Sequence, residues 1–105
     1  MNSIFSIETF DKILYDLRRI IDDVERALKN DDREHLRNLA DKLFYFLQSE
    51  FLLQYFSSFV DRALDYIAQI FEFGTCCDDF LKALDDLYDG VNSLYLKLSL
   101  TKITV

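Results

Sequence analysis

The chain has no proline, no tryptophan, two glycines, two cysteines and one histidine in 105 residues. The scarcity of proline and glycine leaves few points that interrupt a helix. Two adjacent cysteines cannot build the disulfide scaffold of a small secreted domain. Basic residues are also short, 12 against 19 acids, for a net charge of −7. That balance argues against direct nucleic-acid binding, which needs a basic surface. No apolar run reaches the roughly 18 residues of a membrane span. The most hydrophobic stretch, Phe44 to Val60, is interrupted by Gln48, Ser49, Glu50, Gln54, Ser57 and Ser58. The opening MNSIFSIETF has no basic segment followed by an uninterrupted apolar one, so a signal peptide is not expected. Free vicinal thiols fit a reducing compartment, and a cytoplasmic protein without membrane contact is the expectation. What the chain does have is apolar mass: half of its residues are hydrophobic, which excludes intrinsic disorder. A chain of this size buries roughly two-thirds of its unfolded surface, enough for one core. A single domain over 1–105 is expected.

Periodicity specifies the class. Ile7, Phe10, Leu14, Leu17, Ile21, Val24 and Leu28 recur at alternating spacings of three and four, a helix with one heptad seam. Ser6 is its candidate N-cap. Asn30-Asp31-Asp32 ends it, and Asp31 with Glu34 has the spacing of a capping box for the next helix. Leu36, Ala40, Leu43 and Leu47 form the second seam. Between Phe44 and Phe59 the pattern blurs, because aromatics point all round a helix. A break is expected within 49–58, with Ser57 or Ser58 as the next cap; one uninterrupted helix is the alternative. The seam resumes as Val60, Ala63, Ile67 and Ile70. Gly74 suits a left-handed helix end, and Thr75 is the candidate cap of a last helix. Its seam is Phe80, Leu84, Leu87, Val91, Leu94 and Leu98, running through Gly90. After Leu94 the leucines alternate with Tyr95, Lys97, Ser99 and Thr101, the period of a strand. Helix to about Leu98 and then an extended end is expected. A strand there would pair with Asn2 to Ile7 or with another subunit. The fold class that follows is all-α, an antiparallel four-helix bundle with short loops, with an extended or β-like C-terminal tail as the expectation for its end.

Catalytic and metal chemistry find little footing. Cys76 and Cys77 lack the spaced pairs of a zinc site, and His35 is the sole histidine, so neither a metal nor a cofactor is expected. His35 sits among Asp31, Asp32, Arg33, Glu34 and Arg37, the profile of a solvent-facing turn. In the first turn of a helix capped by Thr75 the dipole would favour thiolate at Cys76 and Cys77, while Asp78 and Asp79 oppose it. One buried and one incidental thiol is the preferred reading. Gly90-Val91-Asn92-Ser93-Leu94 is similar to the attachment motif of acyl carrier proteins. Asn92 stands where they carry Asp, and only twelve residues follow Ser93, so the match is rejected. The reading is not an enzyme.

Charge is more informative. Residues 61–89 hold Asp61, Asp65, Glu72, Asp78, Asp79, Asp85, Asp86 and Asp89 against Arg62 and Lys82, which is −6 of the −7. Fourteen of nineteen acids are Asp, although Glu is the better helix former. If the last helix ended at Gly90, Asp85, Asp86 and Asp89 would oppose its dipole. Asp61, Asp65 and Glu72 share one helical face, and Asp78, Asp85 and Asp89 another. Tyr66 and Tyr88 lie beside them. These ten residues are the candidate surface for a basic partner such as a nuclease or nucleic-acid-binding protein. In size and charge the chain resembles bacterial toxin-immunity proteins and small phage inhibitors of nucleic-acid enzymes, a likeness that covers no motif. A non-catalytic inhibitor is therefore the first reading. The second is an assembly subunit, a homodimer for example, burying Phe44, Tyr45, Phe46, Phe51, Tyr55, Phe56 and Phe59 against another copy.

Overall fold

The computed structural model describes residues 7–104 and is all-helical, with no strand among them. Five helices follow in order: α1 Ile7–Lys29, α2 Arg33–Leu47, α3 Glu50–Tyr55, α4 Ser57–Phe73 and α5 Asp79–Thr104. The molecule is elongated, 50 × 22 × 18 Å. α1 packs on α2 and α5, α4 packs on the same two helices, and α3 packs on α4.

The heptad seams form the core. Phe10, Leu14, Leu17, Ile21 and Val24 of α1 are buried, as are Leu36, Ala40, Leu43 and Leu47 of α2. α4 contributes Val60, Ala63, Ile67 and Ile70, and α5 contributes Phe80, Leu84, Leu87 and Val91. Burying one such side chain is worth about 1.5–3 kcal/mol relative to leaving it exposed. No charged or polar residue is buried among the described residues.

The helix boundaries differ from the sequence expectation in four places. The first is the α1–α2 turn. Asp31, not a cap, takes the left-handed backbone at φ +52°. Its N–H donates to the Leu28 carbonyl (3.3 Å), and the Asp32 N–H donates to the Ala27 carbonyl (2.9 Å). These two bonds close a Schellman end. Asp32 then becomes the N-cap, its carboxylate accepting from the His35 N–H at 3.1 Å. The cap falls one residue later than expected because the reversal itself uses Asp31. The cap expected at Ser6 lies outside the described residues.

The second difference is the aromatic stretch, which breaks twice. α2 ends at Gln48, and Ser49 caps the six-residue α3 by accepting from the Leu52 N–H at 3.4 Å. α3 ends at Phe56, whose φ of −135° leaves the helical region. α4 starts at Ser57 without a side-chain cap, so neither Ser57 nor Ser58 plays the expected part. The Phe56 ring stabilises this junction instead. It is buried, and it lies against Gly90 of α5, where an added Cβ would stand 3.1 Å from its Cε1. A glycine inside a helix costs about 1 kcal/mol relative to alanine; here it admits a phenylalanine ring.

The third difference follows Gly74. This residue does close α4 in the left-handed conformation, φ +81°, its N–H donating to the Ile70 carbonyl at 2.8 Å. Thr75 does not cap α5. The chain runs on irregularly to Asp78 and enters α5 through i,i+3 bonds from Phe80 to Cys77 and from Leu81 to Asp78.

The fourth is the tail. α5 stays helical to Thr104, and no extended end follows Leu98 among the described residues. A lone strand would leave its backbone groups unpaired, whereas a helix satisfies them within itself. Leucines spaced by two fall on opposite sides of a helix, and both Leu96 and Leu98 are exposed. α5 also outreaches α4. Phe56 and Phe59, at the start of α4, stand against Gly90, while Phe10 of α1 meets Tyr95 at 5.7 Å between ring centroids.

Candidate functional site

The ten acidic-face candidates occupy α4, the loop before α5, and α5 itself. Asp61, Asp65, Glu72, Asp78, Asp79, Asp85 and Asp89 are exposed, and Asp86, Tyr66 and Tyr88 are half-buried. On α4, Asp61, Asp65 and Glu72 lie opposite the buried Val60, Ala63, Ile67 and Ile70, so helical spacing points them outward.

Two of the eight acids are tied down across the helix packing. The Arg62 guanidinium of α4 donates to the Asp86 carboxylate of α5 at 2.9 Å. Arg18 of α1 stands 4.0 Å from Asp85 and 3.1 Å from Asp22. The same guanidinium lies 5.4 Å from the centre of the Tyr88 ring, a cation–π contact. Tyr66 packs toward Phe80, 5.9 Å between ring centroids. The other six acids, Asp61, Asp65, Glu72, Asp78, Asp79 and Asp89, make no ion pair among the described residues. Arg18 and Arg62 are the residues that sequence reasoning passed over. The signal for Arg62 was present, since it is one of two bases in an acidic run.

Since α5 continues fourteen residues past Gly90, Asp85, Asp86 and Asp89 sit inside the helix, and its C-terminal dipole does not oppose them. Their preference for Asp over Glu keeps only the small propensity cost.

The thiols lie in the loop Thr75–Asp78. Both are free, Cys76 half-buried and Cys77 exposed. Burial pushes the Cys76 thiol up to about 11, with Cys77 and Asp78 adding in the same direction. Lying before the first turn of α5 they gain no helical activation, and Cys76 is a poor nucleophile. No group of three or more His, Cys, Asp or Glu among the described residues is placed to hold a metal.

The aromatic candidates divide. Phe51 and Phe56 belong to the core, with Phe51 edge-on to Phe10 at 4.9 Å. Phe46 and Phe59 are half-buried against it. Phe44 is 38% exposed, Tyr55 49% and Tyr45 69%. The interior thus holds more of this stretch than the spacing suggested. Three rings remain outside. Tyr45 and Phe46 also line an open groove of about 490 Å³ between α1 and α2.

No helix among the described residues is long and apolar enough to cross a membrane. Comparison with protein-family models, curated proteins and solved structures found no match.

Proposed function

We propose that the chain is a non-catalytic cytoplasmic inhibitor that binds a basic protein through α4 and α5 and contacts neither nucleic acid nor membrane itself. The observation that carries this reading is the set of six exposed carboxylates that make no ion pair among the described residues, beside Asp86 paired with Arg62 and Asp85 near Arg18. Dense carboxylate steers a cationic cleft into contact and competes there with phosphate. Tyr66 and Tyr88 supply aromatic surface at the edge of the charge. The bundle geometry that suits this role is four long antiparallel helices with α3 as a short link. The closed ring of contacts α1–α2–α4–α5 and the short connections support it.

The test is stopped-flow association with a panel of basic nucleases across a salt series. The on-rate should fall steeply with salt, and replacing Asp61, Asp65 and Asp89 by Asn should lower it further. A salt-insensitive rate, or unchanged binding by that triple variant, sinks the proposal.

The exposed Tyr45, Phe44 and Tyr55 favour a second reading, an assembly subunit that self-associates through residues 44–59. The two readings use different surfaces.

A further inference from the structure

The groove between α1 and α2 lies outside the acidic helices. Its rim carries Asp16, Arg19 and Asp23 from α1 and Lys42 from α2, two acids and two bases. Ile20 and Leu39 supply apolar lining, and Tyr45 closes one side while most of its ring projects into solvent. The two acids already have partners on their own helix. Lys12 is 3.9 Å from Asp16, and Arg26 is 3.3 Å from Asp23. The two bases make no ion pair among the described residues; Arg19 only stacks near Tyr15, at 5.8 Å.

We propose that a second copy of this chain docks in this groove about a two-fold axis, with Tyr45 of each copy seated in the groove of the other. This rests on the assembly reading and narrows it to one contact. Charge favours this face over α4 and α5. A chain of net −7 meets another copy of itself most easily where the rim is balanced, and the run over 61–89 makes α4 and α5 the costliest alternative. A strongly basic or strongly acidic partner gains little from a balanced rim. A second copy offers the same four charges, and with α1 of one against α2 of the other Lys42, which makes no ion pair among the described residues, meets Asp16 and Asp23. Shape agrees, because an isologous contact needs knob and hole on one surface, and Tyr45 stands beside the hole. Tyrosine is among the residues that most often anchor such contacts.

The experiment is sedimentation equilibrium of the whole chain from about 5 to about 500 μM, a range that spans weak association. The wild type should dimerise within it, and Tyr45→Ala should weaken the dimer by about tenfold or more. Tyr45 is exposed, so the variant should melt like the wild type, which circular dichroism checks. Phe73→Ser, an exposed aromatic away from the groove, should leave the dimer unchanged. A strict monomer throughout overturns both the assembly reading and the groove. A dimer indifferent to Tyr45→Ala but lost in Tyr55→Ser overturns the groove alone.

Discussion

Asp31 holds a left-handed backbone that a side chain occupies at a cost, and it does so in an exposed turn with only a 3.6 Å contact to Arg33 to lose. Asp31→Gly should therefore stabilise the protein by about 0.5–1 kcal/mol, read as a higher urea midpoint with an unchanged slope. The neighbouring Asp32→Ala should do the reverse. It removes the carboxylate that the His35 N–H donates to, a loss of about 1 kcal/mol. The opposite signs of two adjacent aspartates distinguish this turn from the capping box expected at Asp31, for which Asp31 would be the costly one. Cys76 gives a pH prediction. Its folded thiol titrates near 11, above the ordinary 9.0. The native state then holds a proton that the unfolded state has released, so stability is level below pH 9 and falls between 9 and 11. Cys76→Ala should flatten that fall, measured by urea unfolding at intervals across the range. Alkylation of the wild type near pH 8 should mark the exposed Cys77 and spare Cys76.

The pairing of Phe56 with Gly90 joins two elements that sequence reasoning could treat only separately. Gly90→Ala gains about 1 kcal/mol of helix propensity, and its methyl group stands 3.1 Å from a buried ring. In the wild-type background the two should nearly cancel. In a Phe56→Leu background, where the ring edge is gone, the same substitution should stabilise by the full amount. A double-mutant cycle in denaturant reads the difference as a coupling of about 1 kcal/mol. The pair also shows what was legible in the sequence and what was not. The four seams were legible, because alternating three and four spacings have one physical reading, no proline interrupts them, and the one glycine within them, Gly90, leaves the spacing intact. The break near residue 50 was visible as a change of register, but its two positions were not. One depends on Ser49 finding the Leu52 N–H, and the other on a ring docking against a glycine thirty-four residues away. The tail misled for a related reason. Alternation implies a strand only where a partner strand exists, and a helix with leucines on both sides carries the same alternation. The charge rows were legible by count, whereas their counter-ions Arg18 and Arg62 depended on which helices become neighbours.

The molecule as a whole is charged on one side. α4 and α5 carry the −6 segment, and the groove between α1 and α2 is balanced. This arrangement has a stability cost that can be measured. Asp61 and Asp65 are like charges at i,i+4, as are Asp85 and Asp89, and each such pair destabilises a helix by about 0.2–0.5 kcal/mol. Asp65→Lys and Asp89→Lys would turn both pairs into attractions and replace a weak helix former by a better one. The double variant should gain about 1–2 kcal/mol at low salt, a rise of roughly 4–16 °C in melting temperature for a chain of this size. Part of that gain should disappear in about 1 M salt, where screening acts within 3 Å. The same variant distinguishes the two meanings of an acidic face. If the carboxylates serve only to keep the protein dissolved, a stabler variant with less negative charge should still bind every partner it bound before. If they form the binding surface, the variant should be more stable and should lose association with a basic partner, the exchange of stability for activity common at binding surfaces. Measuring melting temperature and on-rate on the same preparation decides between them. A variant that melts higher and binds unchanged would leave the acidic face with no role beyond solubility.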